Sequence, residues 1–262
     1  MSLAKHPENA KQPSATVRAC AIIPVYNHGA TVGAVVSRLR SHGLPCLLID
    51  DGSEPGCAHV LDELAQEGRA TLLRRPENGG KGAAVMDGLR AALAQGYTHA
   101  LQVDADGQHA LDDTPAFLAA AQVAPTALIA GEPRYSDDMP AGRRYGRLLT
   151  RAWVWINTWS TEIPDAMCGF RLYPLIPVNA LLARQRLGRR MDFDIEILVR
   201  LHWLGLPMVW LPTAVRYPEG GISHFHMVRD NLRISAVHAR LFAGMLWRSP
   251  ALLWRRLRGR SR

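Results

Sequence analysis

The chain reads as an α/β fold built on a mostly parallel central sheet flanked by helices. Two observations predict it. Apolar runs of β type alternate with segments of helical spacing through the first half of the chain. Short polar turns follow those runs, at the edge where a parallel sheet gathers its ligand crevice. No internal repeat or separating linker interrupts the pattern. The second half is therefore expected to complete the same sheet and to wall a cleft.

In order, Cys20 to Val25 (CAIIPV) reads as a buried strand. Thr31 to His42 reads as a helix, with Val32, Val35, Val36 and Leu39 at helical spacing and Thr31 as its N-cap. Cys46–Ile49 is a second strand, Ala58–Glu67 a short helix and Ala70–Leu73 a third strand. Gly82–Gln95 is helical, His99–Val103 a fourth strand and Ala127–Ala130 a fifth after another helix. Further on, Arg143–Ser160 is helical and carries Trp153, Trp155 and Trp159, which suit a core or wall, or a sugar-stacking surface. Asp165–Tyr173 is a polar-aromatic segment. Asp192–Leu204 is a helix, and Met208–Leu211 and Ala214–Tyr217 are two short strands.

The 262 residues and 48% hydrophobic content suit one large globular domain. The formal charge of +8 is unevenly placed: Met227 to Arg262 hold nine arginines and one acid, Asp230. The preceding 226 residues hold 22 bases and 22 acids. A neutral body excludes a nucleic-acid binder built on a basic domain face, and no nucleic-acid partner is expected. Residues 1–17 contain no apolar secretory core and read as a flexible lead-in. No run reaches the ~18 apolar residues of an ordinary transmembrane helix. Cys20, Cys46, Cys57 and Cys168 follow no metal-ligand spacing, and Cys20 and Cys46 read as small core residues. A reduced, cytoplasmic setting is expected.

Four polar turns follow the first four strands: Pro24-Val25-Tyr26-Asn27, Asp50-Asp51-Gly52-Ser53, Glu77-Asn78-Gly79-Gly80-Lys81-Gly82 and Asp104-Ala105-Asp106-Gly107-Gln108-His109. Together they read as one ligand site. Carboxylates two apart at a strand end can converge on a hard cation, Mg²⁺ or Mn²⁺, and Gln108 adds an oxygen. The same residues also suit a plain Asx-turn. The segment NGGKG lacks the first glycine and the Ser/Thr of a P-loop. Its backbone N–H groups can still hold a phosphate or ribose at a helix start, or simply cap the helix.

The ordered set IIPVYN, LLIDDGS, ENGGKGAAV, VDADGQH, DAMCGFRLY, DFDIEIL and GGISHF spans about residues 20 to 226. On these motifs the chain resembles family-2 glycosyltransferases of the GT-A fold, in the dolichol-phosphate mannosyltransferase-like branch. The resemblance implies a nucleotide-diphospho-sugar donor site at Pro24, Tyr26, Asn27, Asp51, Lys81, Asp104, Arg134, Arg147 and Arg216, with Arg134 and Arg147 facing the diphosphate or the acceptor phosphate. It implies a metal at Asp104, Asp106 and Gln108. It implies a catalytic role for Asp165, with Asp194 as the second candidate. Asp165 also suits a turn cap after Pro164, and Asp192 and Asp194 suit a helix N-terminus. The implied reaction is metal-dependent and inverting, with a lipid-linked or membrane-embedded acceptor. A nucleotidyltransferase would need a basic Gly-rich loop near the N-terminus, which IIPVYNHG lacks. A non-catalytic membrane-surface module is the other alternative.

Two departures stand out. The branch usually has Gly-x-Ser-Lys where this chain has Gly221-Ile222-Ser223-His224, and a histidine is only partly charged near neutral pH. C-terminal membrane helices found in many relatives are missing. His224 and His226 lack a third metal ligand. In the segment 227–262, Arg229, Arg233 and Arg240 form a stripe beside a broad apolar arc, and Ser249-Pro250 is expected to end that helix. Leu252, Leu253, Trp254 and Leu257 then mix with arginines. This suits a basic amphipathic tail on an anionic membrane surface, peripheral at the cytoplasmic face. It also suits a helix docked on the body with a basic end.

Overall fold

The computed structural model describes residues 16–135, 141–215 and 227–259. One seven-stranded sheet runs in the order β3-β2-β1-β4-β6-β5-β7. Its strands are β1 (Ala19–Val25), β2 (Cys46–Asp50), β3 (Thr71–Arg74), β4 (His99–Gln102), β5 (Leu128–Tyr135), β6 (Arg171–Pro174) and β7 (Met208–Val215). The helices are α1 (Gly29–Ser41), α2 (Pro55–Gln66), α3 (Lys81–Ala94), α4 (Thr114–Val123), α5 (Ala141–Thr158), α6 (Leu175–Arg184), α7 (Phe193–Trp203) and α8 (Met227–Gly259). Only β6 runs against its neighbours, pairing antiparallel with β4 and β5.

Strand β1 shows why the sheet needs two covers. Successive side chains point to opposite faces. Ile22 joins the core made with α3, α6, α7 and α8, and Ile23 joins the one made with α1, α2 and α4. Both are fully buried, so the run is apolar without alternation. From β1 the chain steps to β2 and β3 on one side, then crosses to β4 on the other. That reversal opens a crevice beyond the C-terminal ends of β1 and β4.

The structure corrects four expectations. Helix α1 starts at Gly29, two residues before the expected cap, and Thr31 lies inside it. Thr31 Oγ1 instead donates to the carbonyl of Ala105 at 2.5 Å, tying α1 to the turn after β4. The polar-aromatic segment ends in β6, and α6 follows. Arg171 at its start hid the strand, because a charged residue inside a sheet reads as loop. Met208–Val215 is one strand, pairing with β5 over its whole length, so Pro212 does not split it. At that residue the strand is at the sheet edge, where a missing N–H is tolerated. Finally, α8 continues through Pro250. Ser249 Oγ donates to Met245 O at 3.1 Å within the turn that proline perturbs.

Helix α8 docks on the body. Ile234, Val237, Leu241, Met245 and Leu252 are buried. Arg240 donates to the fully buried Glu196 of α7 at 2.8 Å, so the basic stripe is partly spent on the protein itself. Arg248 lies over the Trp203 ring at 4.7 Å. No helix among the described residues is long and apolar enough to cross a membrane. Residues 1–15 of the lead-in, Arg216, the Gly-rich loop with His224 and His226, and the arginine side chains beyond Trp254 lie outside the described residues. The cysteines are free; burial pushes the thiols of Cys20 and Cys46 up to about 12, which leaves them inert.

Candidate active site

The turns after β1 and β2 are laced together. Asn27 has φ 58°, a left-handed conformation that asparagine tolerates. Its N–H donates to Ser53 Oγ at 3.2 Å, and its Oδ1 accepts the Glu54 N–H at 2.8 Å. Asp50 Oδ1 accepts the Ser53 N–H at 2.8 Å, which closes the turn after β2. Pro24 and Tyr26 are half-buried beside these turns.

Asp51 holds the glycine loop. Its carboxylate accepts the N–H groups of Gly79 (2.9 Å) and Gly80 (2.8 Å), and it pairs with Arg75. Gly80 has φ 98°, and a Cβ there would meet Arg190 Cγ at 2.4 Å, so only glycine fits. The loop thus delivers Lys81 at the first turn of α3 into the crevice.

Lys81 is the centre of the site. Its Nζ lies 2.8 and 2.9 Å from the two oxygens of Asp104 and 3.0 Å from Asp194 Oδ2. Burial works against its charge, but Asp104 and then Asp194 outweigh burial and raise its pKa above the ordinary lysine range. Burial likewise opposes the Asp104 charge, yet Lys81 and His109 hold that carboxyl well below the usual range. His109 Nε2 is 3.4 Å from Asp104 Oδ2, and its ring stacks on Phe170.

Asp194 is buried and does not face the open crevice alone. It accepts from Gln102 Nε2 at 3.1 Å, and its carbonyl accepts from Arg171 Nη1 at 2.8 Å. The register Gln102↔Arg171 between β4 and β6 places this pair side by side. Gly169 closes the cluster, since a Cβ there would lie 2.9 Å from Lys81 Nζ and 3.0 Å from Asp104 Oδ2.

Asp106 sits on the rim. Its Oδ1 accepts the Gln108 N–H at 3.0 Å, and both side chains are half-buried. Among the described residues no three His, Cys, Asp or Glu side chains form a closed metal cage. An open rim with hard oxygens on Asp106 and Gln108, and Asp104 behind, fits a divalent ion that takes its other ligands from a diphosphate.

On the far side of the crevice, Asp165 caps its own turn. Its Oδ1 accepts the N–H groups of Met167 (2.8 Å) and Cys168 (2.7 Å), and its Oδ2 pairs with Arg147 Nη1 at 2.8 Å. Arg134, near the end of β5, is exposed and lies 3.6 Å from Glu132. The structure therefore unites Asp51, Lys81, Asp104 and Asp194 through the loops between them, and joins Arg147 to Asp165. Sequence reasoning assigned no role to Arg75, Gln102, His109 or Arg171. His109 and Arg171 stand inside quoted motifs, but only strand pairing shows what Gln102 and Arg171 touch.

This architecture is that of the GT-A nucleotide-diphospho-sugar transferases. It superposes on glucosyl-3-phosphoglycerate synthase from Mycobacterium tuberculosis with TM-score 0.60 and 16% identity, covering 88% of this chain and 80% of that one. It also superposes on a mannosyltransferase from Pyrobaculum calidifontis in complex with GDP-Man and Mn²⁺, with TM-score 0.56 and 18% identity, covering 95% and 77%. Residues 20–187 match the family model for glycosyl transferase family 2, and the chain belongs to that family. It is 28% identical over 237 residues to polyprenol monophosphomannose synthase of Mycolicibacterium smegmatis, covering 83% of this chain and 84% of that one. To undecaprenyl-phosphate mannosyltransferase of Micrococcus luteus it is 27% identical over 219 residues, covering 79% and 87%. It is a glycosyltransferase, and it resembles the dolichol-phosphate mannosyltransferase-like branch.

Proposed function

We propose that the protein is a metal-dependent inverting glycosyltransferase that moves a sugar from a nucleotide-diphospho-sugar to a lipid phosphate at the cytoplasmic face of a membrane. The observation that carries the donor side is the Lys81–Asp104–Asp194 charge cluster at the crevice, beside Asp106 and Gln108. The names of the two relatives above, one a polyprenol monophosphomannose synthase and the other an undecaprenyl-phosphate mannosyltransferase, support the acceptor side.

The nucleotide lies over the ends of β1 and β2, against Pro24, Tyr26 and the loop that Asp51 holds. Asp106, Gln108 and Asp104 would hold Mg²⁺ or Mn²⁺, which when bound supplies positive charge to the departing diphosphate. Lys81 keeps Asp104 ionised and in place, and Asp194 keeps Lys81 in place. Arg147 presents a guanidinium to the acceptor phosphate, with Arg134 assigned to the same phosphate-facing pair and Arg216 to the donor site. A phosphate monoester is already an anion and needs no general base. Asp165, with one oxygen on two backbone N–H groups and the other on Arg147, serves as the positioning residue for that arginine. Attack on the anomeric carbon from the face opposite the leaving diphosphate inverts it in one displacement.

Calorimetry with UDP- and GDP-sugars in the presence of Mn²⁺ tests the donor side. Asp106→Ala is expected to lower transfer by about 10²–10³-fold, the cost of losing one fixed electrostatic stabiliser. Equal metal-dependent donor binding in that variant and wild type would sink the metal assignment.

A further inference from the structure

The tryptophans of α5 and Trp159 just after it take no part in the reaction just described, yet Trp155 and Trp159 line a wide groove. This groove of about 1280 Å³ runs between the C-terminal half of α5, the start of β7 and α8. Trp155, Trp159, Met208, Trp210, Met245 and Leu252 line it. Its two ionisable lining residues, His202 and Glu162, are paired with each other at 3.0 Å.

Two observations separate this groove from incidental exposure. Trp159, the residue after α5, has φ 53°. The left-handed position after a helix is normally glycine, and a bulky side chain there is strained. Trp159 is held nonetheless, its indole N–H donating to Met245 Sδ at 2.7 Å. A strained residue kept where glycine would relieve it points to use. The second observation is continuity with the reaction site. Ser160, Thr161 and Glu162 line the groove, and Asp165, three residues on, holds Arg147. Three residues span at most about 10 Å. Trp155 Nε1 donates to the carbonyl of Ile163 at 2.9 Å, fastening this connecting segment to the helix.

We propose that the groove holds the isoprene units beyond the second of the acceptor's hydrocarbon chain, led along α5 from the phosphate at Arg147. This rests on the lipid-phosphate reading above. Aromatic rings and thioethers with no uncompensated charge match a methyl-branched hydrocarbon. Arg147 and Trp155 are eight residues apart on one helix, about 12 Å. A polyprenyl chain has that reach, and a short or water-soluble acceptor lacks it. A bilayer would instead meet the outer face of α8, where Trp247 is 87% exposed and stands outside the groove.

The test compares kcat/KM for geranylgeranyl phosphate and citronellyl phosphate. The variants are Trp159→Gly, which suits the backbone and spares the fold, and Met208→Glu, which puts a charge on the lining. The ratio of long to short acceptor is expected to fall about tenfold or more in both variants. Geranylgeraniol, the chain without its phosphate, is expected to quench wild-type tryptophan fluorescence and not that of Met208→Glu. An unchanged ratio overturns the proposal. So does loss of binding to anionic vesicles with the ratio unchanged, which would assign the groove to the bilayer. Wild-type transfer to both phosphates without preference sinks this inference alone. No transfer to either sinks the acceptor reading, and the inference with it.

Discussion

Ahead of residue 136, two large apolar side chains are exposed among the described residues, Leu73 and Val123; α5 carries five and α8 seven. The polar groups are distributed the other way. Around β1 to β4 the ionised residues are buried or half-buried and tied to one another: Asp51 to the glycine loop, Lys81 to Asp104 and Asp194. The first region is organised to receive a charged, soluble ligand with no rearrangement of dipoles. The α5–α8 wall instead leaves large apolar side chains exposed. On the proposed function, the two substrates of one reaction are met by two kinds of surface, joined through the Ser160–Asp165 segment.

The largest effect that would break the polar half is loss of Lys81. Lys81→Met leaves Asp104 facing only His109 and Asp194 facing only Arg171, and is expected to cost about 3 kcal/mol, measured by urea unfolding. A cost under ~1 kcal/mol would mean the cluster is not held together by charge. The opposite region has its own test in His238, buried between α5 and α8 and stacked on Trp153. Burial lowers its pKa from 6.5 to about 4. The unfolded chain then takes up a proton that the folded chain refuses. Stability from this site is full above pH 6.5 and falls as pH drops toward 4, by on the order of 3 kcal/mol. His238→Gln is expected to flatten that part of the profile of melting temperature against pH.

Smaller changes sharpen the contrast. Gly169→Ala places a methyl against Lys81 and Asp104, and the lysine cannot swing away from its two carboxylates. A loss of about 1–3 kcal/mol with weakened donor binding is expected, read by melting and calorimetry together. The smallest effect concerns the arginines of the last turns. Arg256→Gln is expected to reduce partition onto anionic vesicles by about 1 kcal/mol, with donor affinity unchanged. Equal partition would leave α8 as a docked helix without a membrane role.

Legibility followed the same division. The strands β1, β2 and β4 are legible within a residue or two because each is buried on both faces, and Cys46–Asp50 is apolar up to its last residue; β3, largely exposed at the sheet edge, is legible from its Leu72-Leu73 pair. Their closing turns were readable because Asp, Asn and Gly mark strand ends. β6 and α6 were missed, and β7 was split at Pro212, because their identity depends on neighbours: Arg171 is tolerated in a strand only because Asp194, Ala166 and Tyr173 surround its guanidinium. Pro250 misled for the reverse reason, since packing of Leu252 holds α8 together where local propensity would end it.

By itself the sequence determined the sheet class, the ordered motifs, the neutral body and the arginine-rich end. Those follow from apolar periodicity, turn chemistry and charge, all of which act between near neighbours in the chain. Tertiary structure alone decided that Lys81 meets Asp104 and Asp194, that Asp165 grips Arg147, that Arg240 is spent on Glu196, and that Trp155 and Trp159 open a groove. Those contacts join residues far apart in sequence, and pairing across β4 and β6 and the docking of α8 bring them together.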